Sequence, residues 1–267
     1  MANVNAKEYL WSWADLEKTL KEHYQEPDID LVRFAYEYAK EAHDGAKRRT
    51  GAPYIIHPTA TACRLAEIEL PLEIVIAGLL HDVPEDTDRT LEEVREDFGD
   101  DVANIVSGVT KLGKVKYRGI ERYAENLRKM FMAMASDVRV VFVKFADRLH
   151  NVETLHVLPE AKRARVAHEV LEIYAPIAQR LGMGDMKGRL EDGAFRHAYP
   201  AKYKQATELL QRNAQIKESD LRKTIEEAVE TLNASKIEPI AVRGRRKFIY
   251  SFWRKLQRYH GDISKVY

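Results

Sequence analysis

From Trp13 to His197 the apolar residues recur every three to four positions, interrupted by turn residues at short intervals. A chain patterned this way buries one stripe per segment and offers no alternating runs for a sheet, so this region is confined to a bundle of helices. The period predicts helices over residues 13–24, 29–42, 58–67, 72–81, 90–98, 100–112, 120–134, 138–154, 161–181 and 184–197. Ser12 and Asp28 stand where N-caps belong, and Thr90 with Glu93 has capping-box spacing. The connections are short, which makes a compact bundle.

The almost wholly apolar segment from Leu72 to Leu80 runs straight into His81-Asp82-Val83-Pro84-Glu85-Asp86-Thr87. A His-Asp pair alone carries little information in a chain with 9 histidines. Its company raises it: His57 precedes Pro58, and Asp147 lies in Ala146-Asp147-Arg148-Leu149-His150-Asn151. Two imidazoles and two carboxylates, His57, His81, Asp82 and Asp147, can converge on one divalent ion. Taken singly, His57 reads more readily as a helix cap or loop end than as a ligand. Val138, Phe142, Phe145, Leu149 and Val152 define a buried helical face, with Asp147, Asn151 and Thr154 as a polar stripe beside it. A carboxylate so close to a buried surface needs a metal or a cation. A proline inside a helix costs about 3 kcal/mol, so the helix carrying His81 is expected to kink or stop near Val83, leaving Glu85 and Asp86 on a turn at the mouth of the site. Nitrogen and oxygen donors together do not choose the ion.

The run His43-Asp44-Gly45-Ala46-Lys47-Arg48-Arg49-Thr50-Gly51-Ala52-Pro53-Tyr54-Ile55-Ile56-His57-Pro58, the His81 to Thr87 segment, Val109-Thr110-Lys111-Leu112-Gly113-Lys114 and the Asp147 motif resemble the hydrolase domain of the long Rel/SpoT alarmone enzymes. The resemblance continues through Tyr174-Ala175-Pro176-Ile177-Ala178-Gln179-Arg180-Leu181-Gly182 and Leu190-Glu191-Asp192-Gly193-Ala194-Phe195. It implies an all-α HD-domain bundle that hydrolyses guanosine tetra- and pentaphosphate (ppGpp and pppGpp) at the 3′ position, giving GDP or GTP plus pyrophosphate. It also implies manganese (Mn2+) as cofactor, His57, His81, Asp82 and Asp147 as its ligands, and Glu85 with Asp86 as the catalytic carboxylates. A divalent ion lowers the pKa of water from about 15.7 toward neutrality, and such a carboxylate can orient that water or take its proton. By the same resemblance Arg48, Arg49, Thr50, Asn151 and Thr154 meet the nucleoside; Lys111 and Arg128 are candidates for the pyrophosphate and Tyr174 for the nucleoside. Arg49 and Thr50 replace the family's usual Lys and Ser, keeping the charge and the hydroxyl. The longer enzymes are expected to contact the ribosome through regions beyond this chain. Two other classes fit the residues less well: an HD-superfamily phosphohydrolase of nucleotide monophosphates or cyclic nucleotides, and a catalytically weak alarmone-binding regulatory module.

Beyond residue 198 the pattern changes. Residues 201–232, which include Lys217-Glu218-Ser219-Asp220, are charged and amphipathic; residues 236–242 read as a short strand, and a basic loop Arg243-Gly244-Arg245-Arg246-Lys247 leads into a helix over 249–259. Strand, loop and helix N-terminus could make a phosphate cradle, but by themselves they read more readily as a solvated turn. The segment from Gly244 to Ser251 is similar to the opening of the family's synthetase domain, where Arg245 and Lys247 match residues that contact ATP. The expected division is a hydrolase domain over 1–198 and, over 199–267, a connecting helix with a truncated α/β start of a synthetase domain that cannot itself synthesise alarmone. With 43 basic and 42 acidic residues the net charge is +1, so no global field for nucleic acid exists and any anion site must be local. The single cysteine, Cys63, excludes an internal disulfide and reads as a core residue. Met1 to Glu8 carry no basic-then-apolar signal, and no apolar run approaches the roughly 20 residues of a membrane span, so a cytoplasmic protein is expected.

Overall fold

A computed structural model of the chain describes residues 11–113, 120–213, 218–242 and 244–266. Met1 to Glu8, Lys114, Lys217 and Arg243, which enter the sequence reading above, lie outside the described residues. Helix α1 (Trp13–His23) opens at Ser12, whose backbone N–H and hydroxyl both donate to the Asp15 carboxylate, at 2.8 and 2.6 Å. Helix α2 (Glu26–Ala42) starts earlier than expected. Gln25 is its cap, Pro27 occupies the first turn where no N–H is needed, and Asp28 sits inside the helix rather than capping it. The loop after α2 closes on itself through an isolated bridge between Lys47 and Pro53.

Helices α3 (Ile56–Ala66) and α4 (Leu72–Leu80) form the centre of the bundle. From His57 to Ala66 every residue of α3 is buried, and α3 packs on α1, α4 and α8. Close approach of α3 and α4 depends on Gly78, where a Cβ would lie 2.6 Å from Leu65 Cδ1. Helix α4 ends at Leu80 and a single turn, α5 (Val83–Asp86), follows with Pro84 in its first positions. The stop expected near Val83 therefore falls three residues earlier, and Pro84 starts a helix instead of breaking one.

Thr90 and Glu93 form the expected reciprocal box: Glu93 N–H donates to the Thr90 hydroxyl oxygen at 3.2 Å, and Thr90 N–H to Glu93 Oε2 at 2.6 Å. They open α6 (Leu91–Gly113), which is interrupted at Gly99 (φ 85°, ψ 171°), so the two helices read from the sequence meet end to end at a left-handed residue. Helices α7 (Ile120–Ser136) and α8 (Arg139–Glu153) follow. Val138 precedes α8 and is 44% exposed, so the buried face begins at Val140 rather than at Val138. Next come α9 (Glu160–Glu169), a π turn (Val170–Tyr174), α10 (Ala175–Arg180) and α11 (Gly184–Ala198). The π turn has a local cause: Pro176 has no N–H to give Glu172, and the Ala175 N–H reaches back five residues to Val170 O.

Beyond α11 the chain forms α12 (Pro200–Asn213), α13 (Glu218–Ala234) and α14 (Ile249–Arg258). Phe195, Ala206, Phe252, Leu256 and Val266 make a second apolar cluster, with the rings of Tyr199, Tyr203, Tyr250 and Trp253 lying 5.1 to 6.3 Å from that of Phe195. Asp192 on α11 caps α14 across space, accepting from the Ile249 and Tyr250 N–H groups at 3.0 and 2.8 Å. The strand expected over 236–242 does not form and those residues are irregular, so the α/β character read for 199–267 is corrected: its regular elements are helices among the described residues. A strand is held by its ladder partner, and none is present among the described residues; Ile237 and Ile240 are left 54% and 106% exposed. The phosphate cradle built on that strand falls with it. Lys247 Nζ instead donates to Val266 O at 2.8 Å, and the Arg245 guanidinium lies 4.3 Å from the centre of the Phe248 ring. Cys63 is fully buried, and among the described residues no helix is long and apolar enough to cross a membrane.

Candidate metal centre and adjoining cleft

Helices α3, α4 and α8 deliver the centre. His57 lies in the first turn of α3, His81 at the end of α4, Asp82 one residue beyond it, and Asp147 midway along α8. His57, His81 and Asp147 are 1%, 1% and 4% exposed, and each offers a donor atom within 4.8 Å of the other two. His57 Nε2 stands 3.3 Å from Asp147 Oδ1 and 3.5 Å from Asp82 Oδ2. Asp82 Oδ1 stands 3.2 Å from His81 Nε2, so Asp82 flanks both imidazoles while lying outside the three-residue group.

The donors fit a divalent cation. His81 Nδ1 lies 2.9 Å from Gly78 O, a group that can only accept, so the proton sits on Nδ1 and the Nε2 lone pair faces the carboxylates. That Nε2 is buried without an aligned hydrogen-bond partner. A lone pair held among carboxylate oxygens calls for a cation between them. Without a metal a proton takes that place: against its burial, Asp82 and Asp147 push the His81 imidazole up to about 9. Burial likewise opposes ionisation of Asp147, but the Lys144 ammonium and His57 hold its carboxyl well below the usual range. Lys144 is itself buried, and its Nζ stands 2.8 Å from Asp147 Oδ2. The other oxygen, Oδ1, accepts from Asn151 Nδ2 and faces His57. His57 Nδ1 lies 2.7 Å from His150 Nδ1.

Tyr54 joins the centre to its mouth, with its hydroxyl 2.8 Å from Asp82 Oδ2 and 2.7 Å from Asp86 Oδ2. Glu85 and Asp86 are exposed on α5, as the mouth position requires. Beside them opens a cleft of about 350 Å³ lined by Lys47, Arg48, Arg49, Thr50 and Tyr54 on one side and Arg148, Asn151 and Thr154 on the other. Arg48 Nη2 donates to Asn151 Oδ1 at 2.8 Å, tying the loop to α8. The structure therefore brings Arg48, Arg49, Thr50, Asn151 and Thr154 together along one cleft.

Tyr174 is 5% exposed and does not line the cleft; its hydroxyl oxygen accepts from Arg148 Nη2 at 2.8 Å, so it holds a cleft residue in place. Lys111 is exposed on α6, and Arg128 is exposed on α7, paired with Glu125 at 2.8 Å; neither lines the cleft. Sequence reasoning missed Tyr54, Arg148 and His150, which sit inside the motifs it used, and Lys144, which lies just before the Asp147 motif. Lys144 and His150 flank Asp147 at three residues' distance on the same helix, a spacing that could have flagged them.

Residues 35–184 match the model of the HD domain, and the chain belongs to that family. Among curated proteins, the chain is 46% identical to the guanosine-3′,5′-bis(diphosphate) 3′-pyrophosphohydrolase of Aquifex aeolicus over 91% of its own length and 34% of the relative's. It is 41% identical to the bifunctional (p)ppGpp synthase/hydrolase SpoT of Escherichia coli over 97% of this chain and 37% of that protein. The chain thus spans about a third of the length of these relatives. A solved structure described as a metazoan ortholog of SpoT that hydrolyzes ppGpp superposes with a TM-score of 0.46 at 23% identity, covering 70% of this chain and 97% of that one.

Proposed function

We propose that this chain is a metal-dependent 3′-pyrophosphohydrolase of the Rel/SpoT type, converting ppGpp and pppGpp to GDP and GTP plus pyrophosphate. The observation that carries the reading is the buried His57, His81 and Asp147 group opening, through Tyr54 and Asn151, onto a cleft with four cationic side chains. Manganese is the proposed ion, held by His57, His81, Asp147 and Asp82. When bound it supplies Lewis-acid polarisation of phosphoryl oxygens and eases the deprotonation of water.

The chain's own residues do the rest. Arg48 and Arg49 meet the anionic substrate, and the planar guanidinium of Arg48, already 5.5 Å from the Tyr54 ring centre, suits stacking on a base. Thr50, Asn151 and Thr154 supply hydrogen bonds to the nucleoside, with Arg148 as a further cation in the cleft. Asp86, held by the Tyr54 hydroxyl, and Glu85 orient the attacking water and take its proton. A water oxygen bonds to phosphorus, the ribose 3′ oxygen–phosphorus bond breaks, and the 3′ oxygen leaves as a hydroxyl on receiving the proton that the carboxylate took from the water. Residues 199–267 are proposed as a connecting region and the beginning of a second domain, and the protein as cytoplasmic. Incubating the purified chain with ppGpp and Mn2+, with an EDTA control, tests the reading. Metal-dependent GDP and pyrophosphate are expected, and an equal yield without metal, or none with it, overturns it.

A further inference from the structure

His150 lies on α8, 2% exposed, with its Nδ1 2.7 Å from His57 Nδ1. Two ring nitrogens at that distance share one proton. A ligating imidazole offers a lone pair from one nitrogen and carries its proton on the other, and it almost always donates that proton to a fixed partner. Since His57 turns Nε2 toward Asp147 and Asp82, its proton belongs on Nδ1, and His150 Nδ1 must accept it. The two histidines of the centre differ here. His81 donates to the Gly78 carbonyl, which has no other role open to it. The partner of His57 is another imidazole, an acceptor at Nδ1 only in the tautomer that carries its proton on Nε2. That Nε2 is buried and makes no hydrogen bond to the described residues, which leaves His57 as the one ring-nitrogen partner of His150 among them.

We infer that His150 is a positioning residue of the metal centre: by accepting the Nδ1 proton of His57 it sets the tautomer in which His57 presents Nε2 to a divalent ion. The inference rests on the metal reading proposed above. His150 does not line the cleft, so it acts through His57 and its loss is read in metal affinity rather than in substrate contacts.

The test uses the full chain and Mn2+ itself, with the free aquated ion followed by electron paramagnetic resonance. His150→Leu removes the acceptor. His150→Asn places an amide oxygen near the position of Nδ1, whereas His150→Gln carries its oxygen one bond farther out. Removing such an outer partner weakens metal binding roughly 10- to 100-fold. That loss is expected for the Leu and Gln variants, with Asn within a few-fold of the parent. Thermal unfolding in EDTA reports the fold of each variant, and if the Leu variant does not fold, the Asn and Gln pair decides. Unchanged Mn2+ affinity in the Leu and Gln variants, or an Asn variant as weak as Gln, overturns the inference while leaving the metal reading standing. A parent chain that takes up no Mn2+ overturns both.

Discussion

Replacing Lys144 by Met probes how the centre balances its charge. Methionine keeps nearly the same volume, so the perturbation is mainly the loss of an ammonium 2.8 Å from Asp147 Oδ2, in a pair whose side chains are 11% and 6% exposed. Removing one partner of a buried pair costs about 3–5 kcal/mol, because the remaining charge stays buried without compensation. Asp147 keeps its hydrogen bond from Asn151 and faces His57 at 3.3 Å, which sets the expectation at the low end, about 3 kcal/mol in EDTA. For a chain of this size that is a fall in melting temperature of roughly 6–12 °C. A divalent ion at the centre supplies the missing positive charge, and the ammonium no longer repels it. With Mn2+ saturating, the deficit should therefore shrink below about 1 kcal/mol, which requires the variant to bind the ion roughly 30-fold more tightly than the parent, since only a difference in affinity changes the deficit. Urea unfolding followed by far-ultraviolet circular dichroism, with EDTA and with Mn2+, makes the measurement. A deficit of the same size in both conditions would refute the reasoning, because Lys144 would then support packing and not the charge of a metal ligand.

Stability in EDTA should peak near pH 6.5. Burial pushes His150 down to about 2 and His197 down to about 4, so below about 6.5 the unfolded chain binds protons that the folded one refuses, and stability falls. His81, pushed up to about 9, keeps a proton that the unfolded chain releases, so stability also falls from about pH 6.5 to 9. Saturating metal should remove the alkaline fall; urea midpoints that stay flat across this range contradict the assignment. Tyr54→Phe, which removes the hydroxyl bridging Asp82 and Asp86, is expected to lower kcat roughly 10- to 100-fold with metal stoichiometry unchanged, and full turnover would rule out a role for the bridge. Pro84→Ala should cost less than about 1 kcal/mol, since the first turn of α5 needs no N–H from that residue; a loss near 3 kcal/mol in chemical denaturation would show that the ring organises the turn.

The sequence determined the parts of this protein that follow from local patterning. The 3.6-residue period laid out the helices from Trp13 to Ala198, the Thr90–Glu93 pair marked a start, and a glycine at 99 divided two helices that run on in the structure. It also supplied the donors: His57, His81, Asp82 and Asp147 stand out because such side chains are costly beside apolar runs unless something compensates them. Only tertiary structure decided how those donors are held. Lys144 and His150 read as ordinary members of α8 until α3 and α4 pack against that helix and turn both into partners of the centre. Tyr54 becomes a bridge only when the loop before α3 meets α5, and Tyr174 moves from supposed ligand contact to support for Arg148. The same reason explains the missing strand at 236–242: its residues have the composition of a strand, but a ladder is a contact between segments, and a single segment's pattern cannot supply its partner. Periodicity is a property of neighbours along the chain and is legible there, whereas proton positions, charge balance and strand pairing are set between elements distant in sequence.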